Sequence, residues 1–182
     1  LIQSLGIQEF TCLPLVLPEP ALDRETAGGR DILEHDPAET RGEPFDRLDD
    51  LFRRATADPD HVDLDLYAKF RAGLLRHIGL EERILIPTSV RLRGGDAPAM
   101  AERIRLDHGA ITALMVPSPD RQVLATLRRI LSLHNDLEEK EGGLYGACEQ
   151  MVGEDAEAVA RQLRDAPAVP LVAHNDRPGV ID

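Results

Sequence analysis

From Glu43 to Asp165 apolar residues recur every three or four positions, the spacing that lays one greasy stripe along an α-helix. The first stripe opens at Glu43-Pro44, where proline suits a first helical turn, and runs through Phe45, Leu48, Leu51 and Phe52 to end near Ala57. Asp58-Pro59 makes a turn. A second helix is predicted from about Asp60, with an inner seam of Leu66, Phe70, Leu74, His77, Glu81 and Leu85. Pro87 is expected to end or kink it, and Gly94-Gly95 to break the chain. A third helix is expected after Asp96, read as its N-cap, with the seam Ile104, His108, Ile111 and Met115. Beyond the turn Pro117-Ser118-Pro119-Asp120, a fourth helix carries Leu124, Leu127, Leu131, His134 and Glu138, and Gly142-Gly143 closes or bends it. A shorter fifth helix is predicted over Glu154 to Asp165, with Val159 and Leu163 as its apolar points.

The flanks lack this pattern. In residues 1–42, Pro14, Pro18, Pro20 and Pro37 with Gly28-Gly29 interrupt any long helix, so the segment reads as an irregular arm. Residues 43–166 form the domain, and residues 167–182 a proline-rich, extended tail. Four substantial helices joined by short turns, each burying one stripe, predict an all-α fold. The economical arrangement is an antiparallel up-down four-helix bundle with a short extra C-terminal helix. Composition agrees. Aromatics are only 3% with no Trp, so the apolar share is mostly Leu, Ala, Val and Ile, which suits packed helices better than a β-sandwich.

The formal net charge of -12 argues against a nucleic-acid partner, which requires cations to displace counterions, and against an anionic membrane face. No apolar run reaches bilayer length, and the beginning of the chain has no basic segment followed by an apolar one. A cytoplasmic location is the expectation. Cys12 and Cys148 are too few for a disulfide framework or a thiolate metal site. The oligomeric state is left open.

Three histidines and two glutamates interrupt the apolar seams. The pair Glu-Glu occurs twice, at Glu81-Glu82 and Glu138-Glu139, and each time a His stands four residues ahead of its first member, at His77 and His134. Residues four apart share a helix face, so each segment offers an imidazole beside a carboxylate. His108 supplies a third imidazole from the helix between. Carboxylates facing a bundle core are costly unless paired or ligating a cation, and two together would force one to take up a proton. A divalent cation removes both difficulties. His and carboxylate ligands suit iron, manganese or zinc, and the oxygen share favours the redox metals. Counting from the turn near Gly94, His77–Glu81 and His108 fall at one level, since both helices rise about 1.5 Å per residue. His134 matches less well, at sixteen residues after the turn near Ser118 against ten for His108.

These residues resemble the hemerythrin-like, HHE cation-binding family. The resemblance spans Glu43 to Asp165 and rests on Arg76-His77 to Pro87, Asp107-His108, and His134-Asn135 to Glu139 followed by Leu144-Tyr145. It implies an up-down bundle holding two irons bridged by carboxylates, with open coordination for O2, NO or peroxide. Glu81 and Glu138 would then bridge, and His77, His108 and His134 would be terminal nitrogen ligands. Such domains usually carry a further His on the first helix. Here Phe45 stands in its place, with His35 the nearest replacement. If neither serves, a single ion is implied in place of two.

The resemblance implies a non-haem iron protein that binds a small oxidant for sensing, buffering or detoxification. Two other readings stand beside it: a di-metal oxidase or peroxidase-like enzyme, and a metal-free interaction bundle in which the same residues pair by hydrogen bonds. No substrate pocket or independent general base stands out, so no catalytic residue is named. His61 reads as exposed or capping, His174 as solvated, and Glu82 and Glu139 as outer groups around the ligands. Tyr67 and Tyr145 read as redox partners or, in the more frequent role, as core or rim packing, and Cys148 as a small buried apolar residue.

Overall fold

The structure, a computed structural model, describes residues 48–177, and among them every regular element is helical. The expected arm, with His35 and Cys12, and the expected start of the first helix, with Phe45, fall on residues outside the described ones.

Helix α1 (Leu48–Ala55) buries Leu48, Leu51, Phe52 and Ala55 against α2 (Leu64–Leu80), where Phe52 stacks on Phe70 with ring centroids 4.6 Å apart. Helix α2 begins later than the expected Asp60, because Asp63 is its cap: that carboxylate accepts from the backbone N–H of Asp65 at 3.1 Å and of Leu66 at 3.0 Å. Pro87 does not stop the second helix. The helix passes through one π-helical turn, Glu81–Leu85, after which α3 (Ile86–Leu92) continues. Proline has no N–H to give the carbonyl four residues back and its ring collides with that group; the wider turn relieves the clash, with Ile86 N–H donating to the Glu81 carbonyl.

Helix α4 (Ala101–Leu114) starts after Met100, so Asp96 is not its cap. Pro98 holds Ala97 away from helical backbone, and the first turn closes beyond it, with Ala101 N–H on the Pro98 carbonyl at 2.9 Å. Helix α5 (Arg121–Glu139) is capped by Asp120, which accepts from Val123 N–H at 2.7 Å. The sequence reading, which took the glycine pair to close or bend the fourth helix, predicted no helix directly after it, and there the structure has α6 (Leu144–Val152). A 3-10 turn, Gly153–Asp155, leads into α7 (Ala156–Asp165).

The tail residues 167–177 have no regular secondary structure but lie on the helices. Arg71 donates to the Val172 carbonyl at 2.8 Å, and Asp176 accepts from the Ser118 backbone N–H and hydroxyl at 2.6 and 2.8 Å. His174, expected in solvent, is therefore half-buried, its ring stacked on Tyr67. His61 is exposed as expected.

The core falls into two apolar clusters. One holds Phe52, Phe70, Leu74, Ile111, Leu127 and Leu131; the other holds Leu80, Leu85, Ile86, Ile104, Leu144 and Val159. Along α2 and α5 the first cluster comes first, and along α4 the second does. His77, His108 and His134 fall in each helix where one cluster gives way to the other. No helix among the described residues is long and apolar enough to cross a membrane.

Candidate metal centre

Four segments meet in that intermediate layer. Helix α2 brings His77 and delivers Glu81 at the head of the π-helical turn, α4 brings His108, and α5 brings His134 and Glu138. All five side chains are buried, Glu81 to 1% and Glu138 to 2% exposure. The sequence thus named five residues that the fold does assemble.

They do not form a single ring. Glu81, His108, His134 and Glu138 each place one ligand atom within 4.8 Å of the others. His108 Nε2 is 3.0 Å from Glu81 Oε2 and 3.7 Å from Glu138 Oε1, and His134 Nε2 is 2.7 Å from the same Glu138 oxygen. These approaches lack hydrogen-bond alignment: Glu81 Oε2, His108 Nε2, His134 Nε2 and Glu138 Oε1 are all buried with no hydrogen-bond partner. Buried polar atoms are nearly always paired, so four orphans in one place are compatible with a cation among them. Two imidazole nitrogens and two carboxylate oxygens are a donor set that can hold a metal ion, and the residues fit that role.

His77 stands on the other side of the carboxylates. Its Nε2 lies 3.3 Å from Glu81 Oε1 and 3.6 Å from Glu138 Oε2, the oxygens that face away from the first group. Between them sits the Tyr145 hydroxyl, 2.6 Å from Glu81 Oε1, 3.0 Å from Glu138 Oε2 and 3.1 Å from His77 Nε2. Read from sequence as a packing residue or redox partner, Tyr145 was not named among the site residues, yet it stands inside the site. It arrives there because Gly142, at φ 78°, and Gly143 turn the chain back on itself. A Cβ on Gly143 would stand 2.6 Å from the Glu138 carbonyl oxygen, so only glycine lets α6 start this close to the end of α5.

An outer group orients one of the imidazoles. Glu82 lies 2.7 Å from His108 Nδ1 through Oε1 and accepts from Arg105 at 3.3 Å through Oε2, the supporting role expected of it. Asp107, ion-paired with Arg103 at 3.0 Å, lies 3.8 Å from His134 Nδ1, too far for a hydrogen bond. Glu139 stays outside the centre. Cys148 is buried beside it as a small apolar residue; burial first, and then the Glu81 charge, push its thiol up to about 11.

The electrostatics match this crowding. Burial opposes a charge on His77, but Glu81 and Glu138 outweigh it and raise its pKa to about 9. Burial likewise opposes charge on His108, and its contacts with Glu138, Glu81 and Glu82 raise it to about 10. For Glu138 burial favours the neutral acid, yet His108, His134 and His77 together hold the carboxyl well below its ordinary range. Tyr145 moves the other way, pushed well up by burial and by the charges of Glu81 and Glu138. Left without a cation, Glu138 keeps its charge while His77 and His108 beside it hold their protons.

No family model, curated protein or solved structure matches this chain. The reading of the site rests on its own geometry.

Proposed function

We propose that this chain is a hemerythrin-like metal protein, an antiparallel up-down four-helix bundle whose buried centre takes iron and serves to sense, buffer or detoxify a small oxidant. The observation that carries the reading is the set of four buried, unpartnered ligand atoms on Glu81, His108, His134 and Glu138. The bundle reading is supported by the reversed order of the two apolar clusters on α4 relative to α2 and α5.

When bound, the metal supplies an open coordination position and electrons for O2, NO or peroxide. The chain does the rest. His108 and His134 offer ring nitrogens, and Glu82 fixes which His108 nitrogen faces inward by holding the other. Glu81 and Glu138 balance the ion's charge inside a low-dielectric interior. Leu74 and Ile78 on one side, with Leu80, Leu85 and Leu144 on the other, keep bulk water from the layer. Iron suits this mixed nitrogen and oxygen set, with manganese or zinc as the competing occupants.

Elemental analysis of the purified protein, with optical spectra before and after exposure to NO, O2 and peroxide, tests the proposal. The expected result is retained iron whose spectrum changes on exposure to at least one of the three. A protein that retains no iron, manganese or zinc and takes up no ferrous iron under reducing conditions overturns it.

A further inference from the structure

We infer that Arg71, Tyr67 and His174 form a separate site that binds a small oxyanion, a carboxylate or a phosphate, beneath the tail. It shares no residue with the metal centre and does not depend on that reading. At the metal centre the unpartnered buried atoms belong to Glu81, His108, His134 and Glu138. The remaining ones among the described residues are Arg71 Nε, the Tyr67 hydroxyl oxygen and His174 Nδ1. All three fall in one cluster. Tyr67 and Arg71 stand four apart on α2 and share a face, buried to 1% and 6% exposure. The tail closes over them. The Val172 carbonyl accepts from Arg71 Nη1 at 2.8 Å, and two residues on the His174 ring stacks on Tyr67, centroids 6.2 Å apart.

Charge decides what the site takes. The sequence has 33 Asp and Glu against 21 Lys and Arg, yet no described carboxylate pairs with Arg71, whose hydrogen bond goes to a neutral carbonyl. Asp176, on the same stretch of tail, is engaged elsewhere, both its oxygens accepting from Ser118. A guanidinium does not give up its proton inside a protein, and a buried charge without a counter-charge is costly. Water satisfies hydrogen bonds but leaves that charge; an anion satisfies both. With Nη1 on Val172, the edge formed by Nε and Nη2 is left over, two parallel N–H groups that grip two oxygens of one oxyanion. Tyr67 adds a donor: burial pushes its pKa up against the opposing pull of the Arg71 charge, so the phenol keeps its proton. His174 Nδ1 adds another in the tautomer that carries its proton there.

The experiment titrates the purified full chain, labelled with the heavy nitrogen isotope, with sodium acetate or inorganic phosphate at constant ionic strength. It follows the Arg71 Nε–H resonance, assigned by its loss in Arg71→Lys, together with the melting temperature. The resonance is expected to shift and saturate with at least one of the two anions, and melting to rise with it. Whichever acts identifies the oxyanion as carboxylate or phosphate. Arg71→Met, which removes the charge, is expected to fold at least as stably in anion-free buffer and to lose the anion-dependent rise. Tyr67→Phe is expected to bind about tenfold more weakly, the loss that follows from one hydrogen bond to a charged group. No shift in wild type, an equal shift with chloride, or the same rise in Arg71→Met overturns the inference. Metal per chain, measured on the same samples, tests the other site, so the two readings fail separately.

Discussion

Leu127 and Glu138 lie on the same helix and are equally hidden, yet burial means opposite things for them. Leu127, with Phe52, Phe70 and Ile111 around it, is removed from water at no polar cost, and that cluster stabilises the fold whatever else is bound. Glu138, with Glu81 and three imidazoles, occupies a layer between the two apolar clusters where desolvation works against every charge. The first region is held by shape and volume. The second is held by exchange of protons and, on the reading proposed here, by a metal. A region whose burial is unfavourable on its own is kept for what it binds.

The largest expected effects break this comparison directly. Leu127→Ala should lower stability by about 2–5 kcal/mol, and by the same amount in metal-free and metal-loaded protein. Glu138→Ala should instead abolish tight metal binding, a loss greater than the ~100-fold seen for outer groups, since its two oxygens face both sides of the centre. Denaturant melts of both variants, with and without iron, read the difference. An equal penalty for Glu138→Ala with and without metal would make that residue structural and end the distinction.

How far the two regions were legible in sequence differs in the same way. The apolar seams were plain, because a period near 3.6 is a property of neighbours along one helix. His77, Glu81, His108, His134 and Glu138 were legible as interruptions of those seams, and the structure buries all of them. Which carboxylate oxygen faces which imidazole was not, because it depends on side-chain rotation and on the π-helical turn at Glu81. That turn had one signal, Pro87 six residues on. Tyr145 was missed for a different reason. Its place follows from a reversal at Gly142-Gly143, and a glycine pair reads equally well as the end of a helix or as the hinge between two. The tight contact that decides between them, Gly143 against the Glu138 carbonyl, exists only in three dimensions.

A middle-sized effect sharpens the contrast from outside the ligand ring. Glu82 is half-buried and acts through the His108 nitrogen that faces away from the centre. Glu82→Ala should weaken metal binding by about 10–100-fold, the range for groups that support a ligating imidazole. Glu82→Gln, which keeps an oxygen able to accept from Nδ1, should recover much of that loss. Competition titration against a chelator measures both. Equal weakening by the two variants would mean that Glu82 matters for its charge and not for orienting the ring.

The smallest effect is a pH dependence confined to the metal-free protein. His77 and His108 sit at about 9 and about 10 in the fold, above the ordinary 6.5 of an unfolded histidine. Groups raised on folding stabilise fully below pH 6.5, and that contribution is lost as pH climbs through 9 to 10. Glu138 is the acid-side counterpart: its lowered carboxyl stabilises above the ordinary carboxylate range and loses that contribution as pH falls. These are two views of the same charge contacts, so their sizes do not add. Metal-free protein should therefore melt several degrees lower near pH 10 than near pH 7, on the order expected for a change of about 1–2 kcal/mol in a domain this size. Metal-loaded protein should lack that alkaline fall, because an imidazole bound to an ion has already given up the proton in question. Thermal melts across this range read both forms. The same alkaline fall in loaded and metal-free protein would mean that the imidazoles keep their protons, and that the buried layer is a set of ion pairs with no place for a cation.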